Sequence, residues 1–227
     1  MPITNWPITE RPREKLLERG AKILSNAELL AIFIRSGTRG KTAVDLAHEL
    51  LKHFGGLRHL LDASEAQICN FRGLGKAKYA ELQATLEISR RYLEGQLMQT
   101  NIVSNPKTAH LYLAAKLRNY QHEVFACLLL DNKNHLIHYE ELFRGTINNT
   151  TVYPREIVKL ALHHNAAAII FAHNHPSGTP TPSPQDRALT STLTEILRPL
   201  DIKVLDHIII GKNGYVALGV ASSFCKP

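Results

Sequence analysis

Ala166-Ala167-Ala168-Ile169-Ile170-Phe171-Ala172-His173-Asn174-His175-Pro176-Ser177-Gly178 is an apolar run of strand length that ends in two histidines and leaves through proline and glycine. Its unbroken apolar character predicts a strand over 166–172 that is buried on both faces. Residues two apart on a strand project to the same face, so His173 and His175 are placed to share one metal ion. Pro176, Gly178, Pro180, Pro182 and Pro184 follow, a stiff and turn-rich exit that can fold Asp186 back over the strand end as a third ligand. Two histidines and one carboxylate leave a fourth tetrahedral position, as in catalytic zinc sites. Asp186 also has a structural reading, because Ser183-Pro184-Gln185-Asp186 fits a helix capping box with proline at its first position.

Outward from this strand, the second half of the chain mixes strands with helices. Val124–Leu130 and His135–Phe143 read as strands on either side of the turn-prone Asp131-Asn132-Lys133-Asn134. Helices are expected over Thr108–Leu117, from Pro154 through Leu162, and over Ser183–Leu197; further strands over Ile202–Ile210 and Tyr215–Leu218. This alternation predicts an α/β or α+β domain around a central sheet. Asn174 belongs to the strand face opposite the histidines. His207, in an apolar strand beside Asp206, reads as half of a hydrogen-bonded core pair.

The first half has a different pattern. Residues 12–94 read as helices, with capping boxes at Ser25–Glu28 and Ser64–Gln67 and a stop at Gly55-Gly56. Beyond Gly95 the apolar period is lost, and Gln96–Asn105 reads as a linker. The division expected is a small all-α domain over 1–98 and a second domain over 102–227. Ile68 to Lys78, with its Gly73-Leu74-Gly75 turn, resembles a helix-hairpin-helix; Gly73, Gly75, Lys76 and Lys78 could contact DNA phosphate without sequence preference. The same turn can equally join two packed helices.

Composition narrows the classes. The 27 basic and 20 acidic residues give a net charge of +7 over 227 residues, spread along both halves, which favours polyanionic partners only mildly. Three scattered cysteines exclude a disulfide framework. No apolar run reaches the roughly 18–20 residues that span a bilayer, and Met1-Pro2-Ile3-Thr4 does not open a signal peptide. A cytoplasmic protein with no membrane contact is expected.

His173-Asn174-His175, seven intervening residues, Ser183, two more and Asp186 resemble the metal motif of the JAB/MPN (JAMM) metalloproteases. The flanking Tyr153-Pro154-Arg155-Glu156-Ile157 and Leu205-Asp206-His207-Ile208 are similar to the RadC branch of that family. The resemblance implies a JAB/MPN domain, a central mixed sheet flanked by helices, over 102–227. It also implies one zinc ion per chain on His173, His175 and Asp186, with Glu123 handling the proton and Ser183 stabilising the oxyanion. The activity implied is zinc-dependent hydrolysis of an amide bond in a peptide or protein by a metal-activated water, as a metallopeptidase or isopeptidase. Glu140, Glu141 and Glu156 remain rivals to Glu123, with Glu156 suited to a helix first turn. A second expectation is a DNA-associated repair or recombination protein acting through the hairpin, with little or no turnover.

Overall fold

A computed structural model of the chain describes residues 3–145 and 152–220. Contacts divide it into two units, Met1–Ser89 and Arg90–Pro227. The first contains α1 (Pro12–Arg19), α2 (Asn26–Ile34), α3 (Ala43–Phe54), α4 (Leu57–Leu61), α5 (Glu65–Cys69) and the first part of α6 (Lys76–Gln99). Side-chain caps start three of them: Ser25 with Glu28, Thr42 with Asp45, and Ser64 with Gln67, each pair satisfying two otherwise free N–H groups. Leu30, Ile34, Leu46, Leu50, Leu60, Ile68 and Leu82 form the core of this unit. Gly73 is at φ +98°, and a Cβ there would stand 2.6 Å from Thr38 Cγ2, so glycine is required for close packing as well as for its backbone angle.

The linker expected over Gln96–Asn105 is corrected at its start, because α6 continues to Gln99. Gly95 meets nothing and merely weakens the helix. Leu93 and fully buried Leu97, one turn apart, pack on the core of the second unit and continue an apolar stripe that only the tertiary partner makes legible.

The second unit continues with α7 (Pro106–Leu117), β1 (Val124–Leu130), β2 (Leu136–Arg144), α8 (Pro154–His163), β3 (Ala168–Asn174), α9 (Pro184–Leu197), β4 (Lys203–Ile210) and β5 (Tyr215–Ala217). The sheet order is β2-β1-β3-β4-β5, with β3 and β4 parallel and the other neighbours antiparallel. This is the α/β architecture with a mixed sheet that the sequence implied.

Strand alternation distributes the side chains between two cores. Val124, Ala126 and Leu128 of β1 and Ile170 and Ala172 of β3 pack with Tyr112, Leu113 and Leu117 of α7. Phe125, Cys127 and Leu129, with Ile169 and Phe171, pack with Ile157 and Ala161 of α8 and Leu193 and Leu197 of α9. His173 follows Phe171 in this alternation, so it faces α9, the helix that carries Asp186 in its first turn.

One irregularity matters for the site. Ile169 pairs with Val204, but Ile170 pairs with Asp206, so β4 carries one extra residue there. Strict alternation from Val204 would send His207 to the α7 face; the extra residue returns it to the face of its partner Phe171. Cys69 and Cys127 are free thiols, and Cys225 lies outside the described residues. Among the described residues no helix is long and apolar enough to cross a membrane.

Candidate metal centre

His173 is the penultimate residue of β3 and is buried; His175 is the first residue past the strand and stays tied to β4 by its N–H on Ile210 O at 2.9 Å. The exit loop is pinned to the β4–β5 turn, where Lys212 N–H donates to Gly178 O at 2.9 Å. A Cβ on Gly211 would sit 2.5 Å from that oxygen, so only glycine permits the approach. The pinned loop places the Thr179 carbonyl 2.9 Å from His175 Nδ1. A carbonyl only accepts, so Nδ1 carries the hydrogen and His175 Nε2 is left as a lone pair. It points at His173 Nε2, 2.9 Å away.

Asp186 completes the group. Its Oδ2 accepts hydrogen bonds from Ser183 N–H and Ser183 Oγ–H, both at 2.7 Å, while its own N–H donates to Ser183 Oγ at 3.1 Å. Its Oδ1 lies 3.2 Å from His173 Nε2, and Oδ2 lies 3.6 Å from His175 Nε2. One carboxylate oxygen closes the capping box, and the other is turned to the histidines. Burial alone would raise its pKa, but hydrogen bonds from His173 and Ser183 hold the Asp186 carboxyl well below the ordinary carboxylate range.

The ligand-capable atoms of His173, His175 and Asp186 all lie within 4.8 Å of one another, and the group can hold a metal ion. The donor chemistry fits a divalent metal. With His175 Nδ1 committed elsewhere, imidazole nitrogens converge beside an ionised carboxylate, an arrangement that a cation completes.

Glu123 immediately precedes β1. Phe125 pairs with His173, and cross-strand partners share a face, so alternation puts Glu123 on the face of the two histidines. Burial raises its carboxyl pKa, attraction to His173 and His175 partly offsets this, and repulsion from Asp186 adds to it. The three rival glutamates point elsewhere. Glu140 bonds His138, Glu141 accepts from Tyr120 and Tyr139, and Glu156 pairs with Arg155 and Lys159 at the start of α8.

Two further contacts were not legible in the sequence. Asn174, on the α7 face, accepts from Val124 N–H at 2.8 Å and donates to His122 O at 3.0 Å and Tyr120 O at 3.3 Å, fastening the segment that carries Glu123. His207 is corrected from the core pair expected with the Asp206 side chain. Asp206 Oδ1 accepts the backbone N–H groups of His207, at 2.7 Å, and Gly219, at 2.9 Å, whereas the His207 imidazole lies 2.8 Å from His173 Nδ1 and 2.6 Å from Thr190 Oγ1. The extra residue in β4 turned this side chain toward the histidines.

The hairpin lies in the other unit. Lys78 Nζ donates to Phe33 O at 3.1 Å and to Glu81 at 3.0 Å, so this lysine is engaged in packing. Lys76 lies 3.3 Å from Glu65, with its side chain 87% exposed.

Residues 103–223 match the RadC-like JAB domain, and residues 3–80 match the UPF0758 N-terminal family. The chain belongs to the RadC-like JAB domain family. A UPF0758 protein of Thioalkalivibrio sulfidiphilus is 58% identical over 213 residues, covering 94% of this chain and 96% of the relative. UPF0758 proteins of Nitrosococcus oceani (58% over 211 residues, 93% and 94% covered) and Cellvibrio japonicus (56% over 218 residues, 96% and 97% covered) are similarly close. In this RadC-like JAB domain the histidine pair, Ser183 and Asp186 come together at one end of the sheet.

Proposed function

We propose that this chain is a zinc-dependent hydrolase, a metallopeptidase or isopeptidase that cleaves an amide bond in a peptide or protein. The observation that carries this reading is the convergence of His173 Nε2, His175 Nε2 and the Asp186 carboxylate beside the half-buried Glu123. One zinc ion held by these three residues would supply a Lewis acid that polarises the scissile carbonyl and lowers the pKa of a water to about 7. Glu123, its carboxyl raised by burial, accepts a proton from the attacking water and returns it to the leaving amine. Ser183 Oγ–H points at Asp186 Oδ2, so for it to stabilise an oxyanion the hydroxyl must turn from that acceptor. A cytoplasmic setting agrees with the free thiols of Cys69 and Cys127.

The experiment is a peptide-library digest with the zinc-loaded full chain and with Glu123→Ala. Cleavage by the wild type should fall by about 10²–10⁴-fold in the variant while zinc stays bound. Equal cleavage by both proteins would overturn the role of Glu123. With cleavage lost and the metal retained, Glu123→Ala becomes a trap from which bound substrate can be identified.

A second reading, non-specific DNA contact through the Gly73–Lys78 hairpin, is favoured by the exposure of Lys76 at the start of α6.

A further inference from the structure

We propose that His207 and Thr190 are positioning residues that fix the ring orientation and tautomer of His173, so that its Nε2 is presented to the metal. This rests on the reading that His173, His175 and Asp186 hold one. Three hydrogen bonds run in series: His173 Nδ1 to His207 Nε2 at 2.8 Å, His207 Nδ1 to Thr190 Oγ1 at 2.6 Å, and Thr190 Oγ1 to Asp186 O at 2.6 Å.

The direction of this chain follows from its last member. Asp186 O is a carbonyl and can only accept, so the Thr190 hydroxyl hydrogen goes there. Only lone pairs remain on that oxygen, and His207 Nδ1 must therefore donate to it. A neutral imidazole with Nδ1 protonated has its lone pair on Nε2, which accepts from His173 Nδ1–H. With Nδ1 committed to His207, Nε2 is the His173 nitrogen left for a metal, on the side of His175 and Asp186.

The chain also closes on itself. Thr190 is one turn beyond Asp186 on α9, so the carbonyl it grips belongs to the third ligand, and the first and third ligands are coupled through His207. His207 and Thr190 are buried, where such a polar series is stable only when every member is satisfied. A structural core would be served as well by apolar side chains. Partners of this kind typically change metal affinity by about 10–100-fold.

The test uses the full chain. ¹⁵N NMR of the imidazoles in metal-free wild type should show His207 with Nδ1 protonated and Nε2 bare; the opposite tautomer overturns the proposal whatever the variants do. In competition titrations with Zn²⁺, Thr190→Val should bind about 10–100-fold more weakly, and Thr190→Ser, which restores the hydroxyl, should return close to wild type. Wild-type affinity in Thr190→Val overturns the positioning role while leaving the metal site intact. A wild type that binds no Zn²⁺ overturns the metal reading and the positioning role together.

Discussion

Asn174 Oδ1 accepts a hydrogen bond from the Val124 N–H at 2.8 Å, joining the strand of the two histidines to the strand that follows Glu123. The same amide donates to His122 O and Tyr120 O. Replacing it with leucine leaves buried backbone groups unpaired, at about 1–3 kcal/mol each. Asn174→Leu should therefore lose at least about 2 kcal/mol in urea unfolding. Its zinc content should stay at the wild-type level, because the ligands lie on the other face of β3. Loss of zinc with unchanged stability would contradict this assignment.

The double duty of Asp186 separates by substitution. Ser183→Ala removes the cap acceptor and should cost about 1 kcal/mol while leaving zinc bound. Asp186→Asn keeps an oxygen for the Ser183 N–H but loses the charge, so stability should change little and zinc affinity should collapse. Unfolding curves and metal analysis on the two variants decide it. Wild-type zinc affinity in Asp186→Asn would reduce Asp186 to a cap.

His110 gives a pH dependence away from the candidate metal centre. It is buried on α7 against the Tyr215 ring at 4.1 Å, and neither ring nitrogen has a hydrogen-bond partner. Burial pushes its pKa from 6.5 down to about 4. A depressed folded pKa means that the unfolded chain binds the proton first on acidification. The contribution is thus full above about pH 6.5 and is lost as pH falls toward about 4. His110→Phe removes the group. Relative to wild type, it should gain on the order of 3 kcal/mol between pH 7 and 4 in paired unfolding series. Parallel pH profiles for the two proteins would contradict the burial argument.

The hairpin lysines should behave differently from each other. Lys78 is 23% exposed and bonded to Phe33 O and Glu81, so Lys78→Ala should cost up to about 1 kcal/mol of stability and leave the salt slope of duplex DNA binding unchanged. Lys76→Ala should leave stability unchanged and reduce that slope by about one if the hairpin grips phosphate. An unchanged slope in Lys76→Ala removes this surface from the DNA reading.

The residues show what the sequence made legible. Val124–Leu130 could be read because both its faces are covered, so its apolar run is continuous. Ser183 and Asp186 could be read twice, as cap and as site; in the structure Asp186 Oδ2 accepts from Ser183 and Oδ1 lies 3.2 Å from His173 Nε2. His207 could not be read, since one extra residue in β4 reverses the alternation on which such a reading depends. The partners of Asn174 lie 50 or more positions away, beyond any local pattern. The end of α6 was hidden for a similar reason, because Leu97 has meaning only against the core it joins.

The central claim is that His173, His175 and Asp186 together hold a metal ion. Anomalous diffraction at the zinc edge, from crystals of the full chain grown with zinc, tests it most directly. One peak per chain should appear about 2.0–2.2 Å from His173 Nε2, His175 Nε2 and an Asp186 carboxylate oxygen. A peak at other side chains, or none at these three, would contradict the account.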